Sequence, residues 1–208
     1  MCASAEGSPT DIVAAVTPHA NDPSTTIEIQ LKGSGRTPFS RSADGLAVLR
    51  SSIREFLGAE AIQALGIATT RSLTLVHLPA LPVARERMET ACVLARVAPS
   101  FLRIGCFEAF NGPTRMFFFG GGQQDPDLDA LRKLGEWVGR RVLGLETVDW
   151  ESGAPWSKEL VFEIARRNAR MVAAWQAYGW MHGVLNTDNI SVLGLTIDYG
   201  YVVCAQAV

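Results

Sequence analysis

Residues 182–189 read His182-Gly183-Val184-Leu185-Asn186-Thr187-Asp188-Asn189, and residues 198–200 read Asp198-Tyr199-Gly200. Between them, residues 190–197 form two short apolar runs separated by Gly194, a pattern that predicts a tight hairpin. Such a hairpin would place Asn189 and Asp198 side by side. An amide oxygen beside a carboxylate suits Mg²⁺, which also binds nucleotide phosphates. The alternative is that Asp188 and Asn189 serve only as turn formers.

The spacing is also that of a kinase catalytic loop. In kinases an Asp takes the substrate proton, an Asn five residues later holds magnesium, and a second Asp holds magnesium from the other side. Asn189 and Asp198 occupy the two metal positions, but the position of the base is Val184. Because valine cannot accept a proton, the loop indicates either an inactive site or a different chemistry.

Two charged residues near the amino terminus fit the same arrangement. Residues 25–31 have the composition of a strand that ends at Lys32, and a lysine at a strand end grips nucleotide phosphates in kinases. Residues 44–57 show helical spacing, with Gly58 as a stop signal. Glu55 would then lie in the last helical turn, where the helix dipole does not favour a carboxylate. We therefore predict that Glu55 pairs with Lys32; two solvated surface charges are the alternative.

Several segments together resemble the selenoprotein O family of kinase-fold protein adenylyltransferases. They are residues 31–41 (LKGSGRTPFSR), 43–45 (ADG), 48–57 (VLRSSIREFL), 96–105 (RVAPSFLRIG) and 182–200. The resemblance implies an α+β, protein-kinase-like two-lobed fold, incomplete at both ends. The domain expectation is a disordered or non-family segment in residues 1–26, a partial amino-terminal lobe in residues 27–115 and a partial carboxy-terminal lobe in residues 116–208.

The resemblance also implies a function and a role for each site residue. The function is Mg²⁺-dependent transfer of AMP from ATP to Ser, Thr or Tyr hydroxyls of proteins, with the nucleotide bound in the reverse of the kinase orientation. Asp188 is then the proton acceptor, which accounts for Val184, while Asn189 and Asp198 hold Mg²⁺. Glu55 orients Lys32. The implied ATP contacts are Lys32, Asp44, Gly45, Arg96, Arg103 and Asp198.

Arg96 and Arg103 flank an apolar segment, and guanidinium geometry suits a bidentate clamp on phosphates. Ion pairs, such as one with Glu108, are the alternative role for these two arginines.

Two departures from the family pattern lower the expected activity. Residues 1–26 lack the glycine-rich segment that covers the phosphates in the family, and the sequence ends soon after Gly200, where the family continues. We therefore expect weak or no turnover from this chain. The alternative function is a nonfunctional fragment or a nucleotide-binding pseudokinase, and ordinary phosphotransfer is least favoured because of Val184.

Composition excludes other classes of function. The chain of 208 residues has a formal net charge of -2 and therefore lacks the basic field that nucleic-acid binding requires. Its longest apolar runs are too short to cross a bilayer. Residues 1–26 contain no Lys or Arg, which argues against a targeting segment. The expected compartment is the mitochondrion if the source is eukaryotic and the cytoplasm otherwise.

The remaining sequence predicts the elements between these motifs. Strands are expected at residues 71–77 and 92–97, joined over residues 79–89 by a loop with some helical tendency. Helices are expected at residues 128–143 and 157–178. Residues 117–122, Phe-Phe-Phe-Gly-Gly-Gly, lack the Lys-Ser/Thr of a phosphate loop and predict a linker between the lobes.

Overall fold

Residues 11–19, 22–36, 44–110, 125–152, 155–200 and 203–204 are described by the structure, a computed structural model. The first helix lies between two strands of an antiparallel sheet and the other helices follow that sheet, which agrees with the predicted α+β class. The glycine-rich linker predicted at residues 117–122, and with it the boundary expected after residue 115, lies outside the described residues.

The sheet is organised around β5 (Met88–Ala98), its most buried strand. One edge of β5 pairs with β4 (Arg71–Ala84), and the other pairs with β2 (Asp22–Lys32) and the short β3 (Ala47–Val48). β1 (Asp11–His19) extends the sheet beyond β2, and every pairing is antiparallel. The predicted strand that ends at Lys32 is confirmed, and its pairing with β5 fixes the direction in which the lysine leaves the sheet.

β1 lies inside the segment 1–26 that the sequence predicts to be disordered or outside the family. It pairs with β2 from Asp11 opposite Lys32 to His19 opposite Asp22. The apolar and β-branched residues of Asp11–His19 supply strand propensity that the overall Ala, Ser, Thr and Pro content conceals. The predicted disorder is therefore wrong for the residues of this segment that form β1.

The first helix, α1 (Leu49–Ala64), begins later and ends later than predicted. Gly58 does not stop it, since this glycine lies inside the helix, where a Cβ would lie 3.0 Å from Cδ1 of Tyr199. Glycine is therefore needed for the close approach of the Tyr199 ring. Glu55 consequently lies in the middle of the helix, on the buried face with Ser52, Ala59 and Ile62. The predicted position in the last turn was wrong.

The predicted loop at residues 79–89 is also wrong, because β4 continues to Ala84 and β5 begins at Met88. The prolines of this segment, which disfavour a strand, lie around a register shift between Leu78 and Pro82, where a bulge interrupts the regular pairing of the two strands. The two strands form a hairpin closed by a hydrogen bond from Arg85 N to Arg87 O at 3.0 Å.

Two helices follow, close to the predicted positions. α2 (Leu128–Trp137) continues as a π-helical turn (Val138–Val142), and α3 covers Trp156–Ala177. A buried cluster joins α1 to α3 and to the residues beyond them: Ala59, Ile62, Ile67, Met171, Trp175, Trp180 and Tyr199. Tyr199 therefore anchors the D-Y-G sequence in the core. Among the described residues, none of the helices combines the length and the hydropathy that a membrane span needs.

The hairpin predicted for residues 190–197 does not form. A turn is present, because Gly194 N donates to Ser191 O at 3.1 Å and Gly194 has φ +69°. The two halves pair elsewhere: Ser191 bridges Arg103 and Thr196 bridges Thr69. Gly194 is required by its contact with α3, since a Cβ there would lie 2.8 Å from the backbone carbon of Arg167. These tertiary contacts take the place of local strand pairing.

Candidate nucleotide site

Lys32 stands at the end of β2, next to two carboxylates from distant parts of the chain. Its Nζ lies 2.8 Å from Oε2 of Glu55 and 2.8 Å from Oδ1 of Asp198. Gly33 ends the strand with φ +88°, and a Cβ there would lie 2.5 Å from Cβ of Ala47. The ion pair predicted between Lys32 and Glu55 is therefore formed, and it lies next to a turn at Gly33 that only glycine fits.

Glu55 also contacts a second cation. Its Oε1 accepts a hydrogen bond from Nη1 of Arg96 at 2.8 Å, so each carboxylate oxygen has its own positive partner. Arg96 in turn donates from Nη2 to Oε1 of Gln30, a buried residue on β2. Because Glu55 and Arg96 are both buried, these charge-assisted hydrogen bonds fix the geometry of the site and are not solvent-exposed surface pairs.

Asp198 joins this network from the D-Y-G sequence. Its Oδ1 accepts from Nη1 of Arg96 and from Lys32, while its Oδ2 lies 3.0 Å from Nη2 of Arg103. Asp198 has φ +56°, the one positive φ among the described residues that are not glycine. A left-handed conformation at a non-glycine residue is unfavourable and marks positions that the surrounding structure holds in place.

Arg96 and Arg103 therefore share Asp198 as a partner. The three cations Lys32, Arg96 and Arg103 face the two carboxylates of Glu55 and Asp198. We call these five residues the basic cluster. Several cations in a partly desolvated site can bind an anionic ligand such as a triphosphate.

The charges of the basic cluster govern the ionisation of Asp198. Burial by itself would raise the pKa of this carboxyl, but the positive charges of Arg103, Lys32 and Arg96 oppose the effect and hold its pKa well below the usual range. Asp198 is therefore a carboxylate at every physiological pH.

The loop that precedes the D-Y-G sequence is tied to it through His182. Nδ1 of His182 accepts from Val184 N at 3.3 Å, which assigns the ring proton to Nε2, and Nε2 donates to Ile197 O at 2.6 Å. Asn189 donates from Nδ2 to Val184 O at 3.0 Å. Hydrogen bonds thus connect Asn189, Val184 and His182 in series to the residue that precedes Asp198.

Asp188 is placed differently from the basic cluster. It lies in a 3₁₀ turn (Thr187–Asn189) capped by the side chain of Asn186, and only 1% of its surface is exposed. Its carboxylate packs against a second 3₁₀ segment (Ile104–Phe110), where a Cβ on Gly105 would lie 2.8 Å from Oδ1 of Asp188. Gly105 therefore leaves the space that the Asp188 side chain occupies.

We expect Gly105→Ala to destabilise the chain by about 1–3 kcal/mol, the usual cost of overpacking. Gly105 has no positive φ, so alanine can adopt its backbone conformation and the cost arises from contact with Asp188 and Thr187. Urea unfolding measures the change. In an Asp188→Ala background the same substitution should cost clearly less, and strictly additive effects of the two changes would contradict the contact.

Asp44 and Gly45 lie beside the loop that leaves Lys32. Gly45 has φ +77° and accepts a hydrogen bond from Gly35 N at 3.0 Å through its carbonyl oxygen. Asp44 forms a bidentate ion pair with Arg85 from the β4–β5 turn, at 2.7 and 3.0 Å. Hydrogen bonding to Arg85 lowers the pKa of Asp44 to about 2.

The donors proposed for magnesium are chemically suitable. Nδ2 of Asn189 is directed to Val184 O, which leaves its amide oxygen as the ligand atom, and Asp198 supplies ionised oxygens. Hard oxygen ligands of this kind fit Mg²⁺, which also keeps waters and phosphate oxygens as ligands. Within the described part of the chain, no group of three or more His, Cys, Asp or Glu side chains is arranged to hold a metal by itself.

Three residues of the site have no counterpart in the sequence predictions: Gln30, Arg85 and Gly105. Gln30 precedes Lys32 by two positions, so the period of a strand puts both on one face and could have revealed it. Arg85 and Gly105 carry no such signal, because each acts through a residue distant in sequence.

A strand lysine paired with a helix glutamate, beside the aspartate of a D-Y-G sequence, is the arrangement found in kinase-like phosphotransferases. The antiparallel sheet and the basic cluster are the features expected of a site of kinase type. The family model described as protein adenylyltransferase SelO matches residues 17–203, and the chain belongs to this family. The match includes residues 17–26, which lie in the segment 1–26 that was expected to be disordered or outside the family.

Individual relatives agree with the family match. The chain is 50% identical over 173 residues to a protein nucleotidyltransferase YdiU of Cupriavidus pinatubonensis, covering 83% of this chain and 30% of the relative. It is 49% identical to the mitochondrial protein adenylyltransferase SelO of Schizosaccharomyces pombe, covering 83% and 28% respectively. A YdiU protein of Bordetella pertussis is 48% identical over 179 residues, covering 83% of this chain and 34% of the relative. The chain spans about a third of the length of these curated relatives.

Proposed function

We propose that this chain carries the nucleotide site of a protein adenylyltransferase, which transfers AMP from ATP to Ser, Thr or Tyr hydroxyls of proteins. The observation that carries the proposal is the basic cluster, in which the three cations Lys32, Arg96 and Arg103 meet the carboxylates of Glu55 and Asp198. The names of the SelO and YdiU relatives support nucleotidyl transfer as the chemistry. We further propose that the whole fold is kinase-like and two-lobed.

In this proposal the cations of the basic cluster hold the phosphates of ATP. Lys32, Arg96 and Arg103 donate to phosphate oxygens, and Glu55 keeps the Lys32 ammonium at the end of β2. Guanidinium groups fit phosphate oxygens bidentately, which supports their role as a clamp. Asp44 and Gly45 contact the nucleotide from the neighbouring loop.

The chemical step is an in-line displacement at the α-phosphorus. The oxygen of the protein hydroxyl forms a bond to the α-phosphorus while the bond from that phosphorus to the bridging oxygen breaks, and pyrophosphate leaves with the electron pair. The hydroxyl proton passes to the carboxylate of Asp188, because the aliphatic side chain of Val184 cannot accept it. Asn189 and Asp198 would hold Mg²⁺, which neutralises charge on the phosphates when bound.

Labelled ATP tests the proposal. Turnover by this chain is expected to be weak, but any label that it transfers to a hydroxyl-bearing acceptor protein in the presence of Mg²⁺ should come from α-labelled ATP and none from γ-labelled ATP. Asp188→Asn should reduce transfer by about 10²–10⁴-fold, the usual contribution of a general base, with ATP binding retained. Transfer of the γ label instead would mean phosphotransfer and would contradict the proposal.

A second candidate is a nucleotide-binding protein without transfer activity. The burial of Asp188, which is 1% exposed, favours this candidate, because a base must reach the hydroxyl of its substrate. The same experiment separates the two: ATP binding without transfer of either label supports the pseudokinase. For the compartment we propose the mitochondrion in a eukaryotic source and the cytoplasm in a bacterial one.

A further inference from the structure

Arg85 connects the β4–β5 turn to residues 44–46. Its guanidinium donates to the carboxylate of Asp44 twice, from Nη1 to Oδ2 at 2.7 Å and from Nη2 to Oδ1 at 3.0 Å. The same group donates to the carbonyl oxygens of Leu46 at 3.0 Å and of Ala84 at 2.8 Å. One rigid, planar side chain therefore holds both ends of residues 44–46.

Residues 44–46 in turn form a platform under the loop that leaves Lys32. A Cβ on Gly45 would lie 2.2 Å from the carbonyl carbon of Gly35, so the two backbones are in direct contact. Asp44 reinforces the platform by accepting a hydrogen bond from Leu46 N at 3.0 Å. Displacement of this platform would therefore change the loop that begins at Lys32.

We propose that Arg85 is a positioning residue for the nucleotide contacts of Asp44 and Gly45. The inference rests on the proposed function, in which these two residues touch ATP. The side chain of Asp44 is 42% exposed, so part of its carboxylate stays accessible to N–H or O–H donors of a ligand while Arg85 holds the rest. The guanidinium charge also offsets the carboxylate charge, which would otherwise repel a triphosphate.

A purely structural role for Arg85 predicts a different outcome from a positioning role. The ion-pair part of a structural role requires only opposite charges at the two positions, whichever position carries which charge. A positioning role requires a carboxylate at residue 44, because the ligand contact depends on its oxygens. Exchange of the two charges therefore separates the roles.

Calorimetric titration with ATP and Mg²⁺, combined with thermal unfolding, provides the test. Arg85→Ala should weaken ATP binding by about tenfold, which corresponds to the loss of one good hydrogen-bonded contact. Arg85→Lys keeps the positive charge but not the planar guanidinium that donates two parallel hydrogen bonds, and it should recover only part of the ATP affinity. The double variant Asp44→Arg with Arg85→Asp restores the ion pair but not the hydrogen bonds to Leu46 and Ala84, so it should recover part of the melting temperature lost in Arg85→Ala without recovering ATP affinity.

The matched control is Arg71→Ala. Arg71 begins β4, the strand that Arg85 follows, and forms a comparable bidentate pair with Glu60 at 2.8 and 2.6 Å. Its loss should leave ATP affinity unchanged. Unchanged ATP affinity of Arg85→Ala, or recovery of affinity in the charge-exchanged variant, would overturn the inference and leave the proposed function standing. Absence of ATP binding by the unaltered chain would overturn both.

Discussion

Replacement of Asp198 by alanine is expected to lower the free energy of unfolding by about 3–5 kcal/mol, the cost of removing one partner from a buried charge network. The side chain of Asp198 is 8% exposed and contacts Lys32, Arg96 and Arg103. Without it, Lys32 and Arg96 would keep Glu55 as a partner, while each of the three cations would lose one buried carboxylate contact. Urea unfolding monitored by circular dichroism measures the change in the free energy of unfolding, and its slope against urea concentration should be the same for both proteins.

The control for this prediction is Glu60→Ala, which removes one partner of an exposed pair with Arg71. It should change stability by about 1 kcal/mol or less, because solvent screens surface ion pairs. A cost for Asp198→Ala no greater than that of the control would contradict the buried network.

Acidification provides a second readout of the Asp198 prediction. Since the folded pKa of Asp198 is depressed, its stabilising contribution is fully present above the unfolded pKa of about 3.9 and disappears as pH falls through the lower folded value. The stabilities of the unaltered chain and of Asp198→Ala should therefore converge below about pH 4. A difference that stays constant on acidification would show that the charge of Asp198 is not its source.

Replacement of Lys32 by methionine is expected to weaken ATP binding by about 10–100-fold, since a charge-assisted hydrogen bond contributes about 1.5–3 kcal/mol. Methionine keeps an unbranched stem but removes the ammonium that lies between Glu55 and Asp198. The basic cluster would then lose one of its three cations and, with it, a donor to phosphate oxygens. Calorimetric titration with ATP and Mg²⁺ measures the affinity.

Lys158→Met is the matched control for the lysine, because Lys158 lies on α3 over the exposed ring of Phe162, apart from the basic cluster. Its ATP affinity should equal that of the unaltered chain. Glu55→Gln should weaken binding less than Lys32→Met, because it frees the ammonium from one anchor without removing it. Equal affinity of Lys32→Met and the unaltered chain would exclude Lys32 from the phosphate contacts.

The sequence predicts those parts of the site in which residue type and chain order carry the information. A lysine at a strand end, a helix glutamate and a D-Y-G aspartate are recognisable one by one, and Lys32, Glu55 and Asp198 do meet. Arg96 and Arg103 were expected to bind phosphates, and the structure adds that they pair with Asp198. The antiparallel pairing of β2 and β5 brings Lys32 near Arg96, and Glu55, Arg103 and Asp198 join them from other elements. Local patterns do not encode these long-range contacts.

The failures have a common physical cause, which is that tertiary contacts override local signals. Gly58 does not end a helix but lies inside α1, where its lack of a side chain makes room for the Tyr199 ring. Ser191 and Thr196 form no hairpin because Arg103 and Thr69 offer partners across the fold. Arg85 escapes prediction because an arginine in a turn is ordinary by composition, and its partner Asp44 lies 41 positions earlier.

A crystal structure of this chain with Mg²⁺ and a non-hydrolysable ATP analogue would show directly whether the basic cluster binds the nucleotide. We expect the triphosphate to contact the cations of the basic cluster, Lys32, Arg96 and Arg103, with the metal on the side chains of Asn189 and Asp198. Binding of the analogue elsewhere, with the ion pairs of Asp198 unchanged, would contradict the assignment of the basic cluster as the nucleotide site.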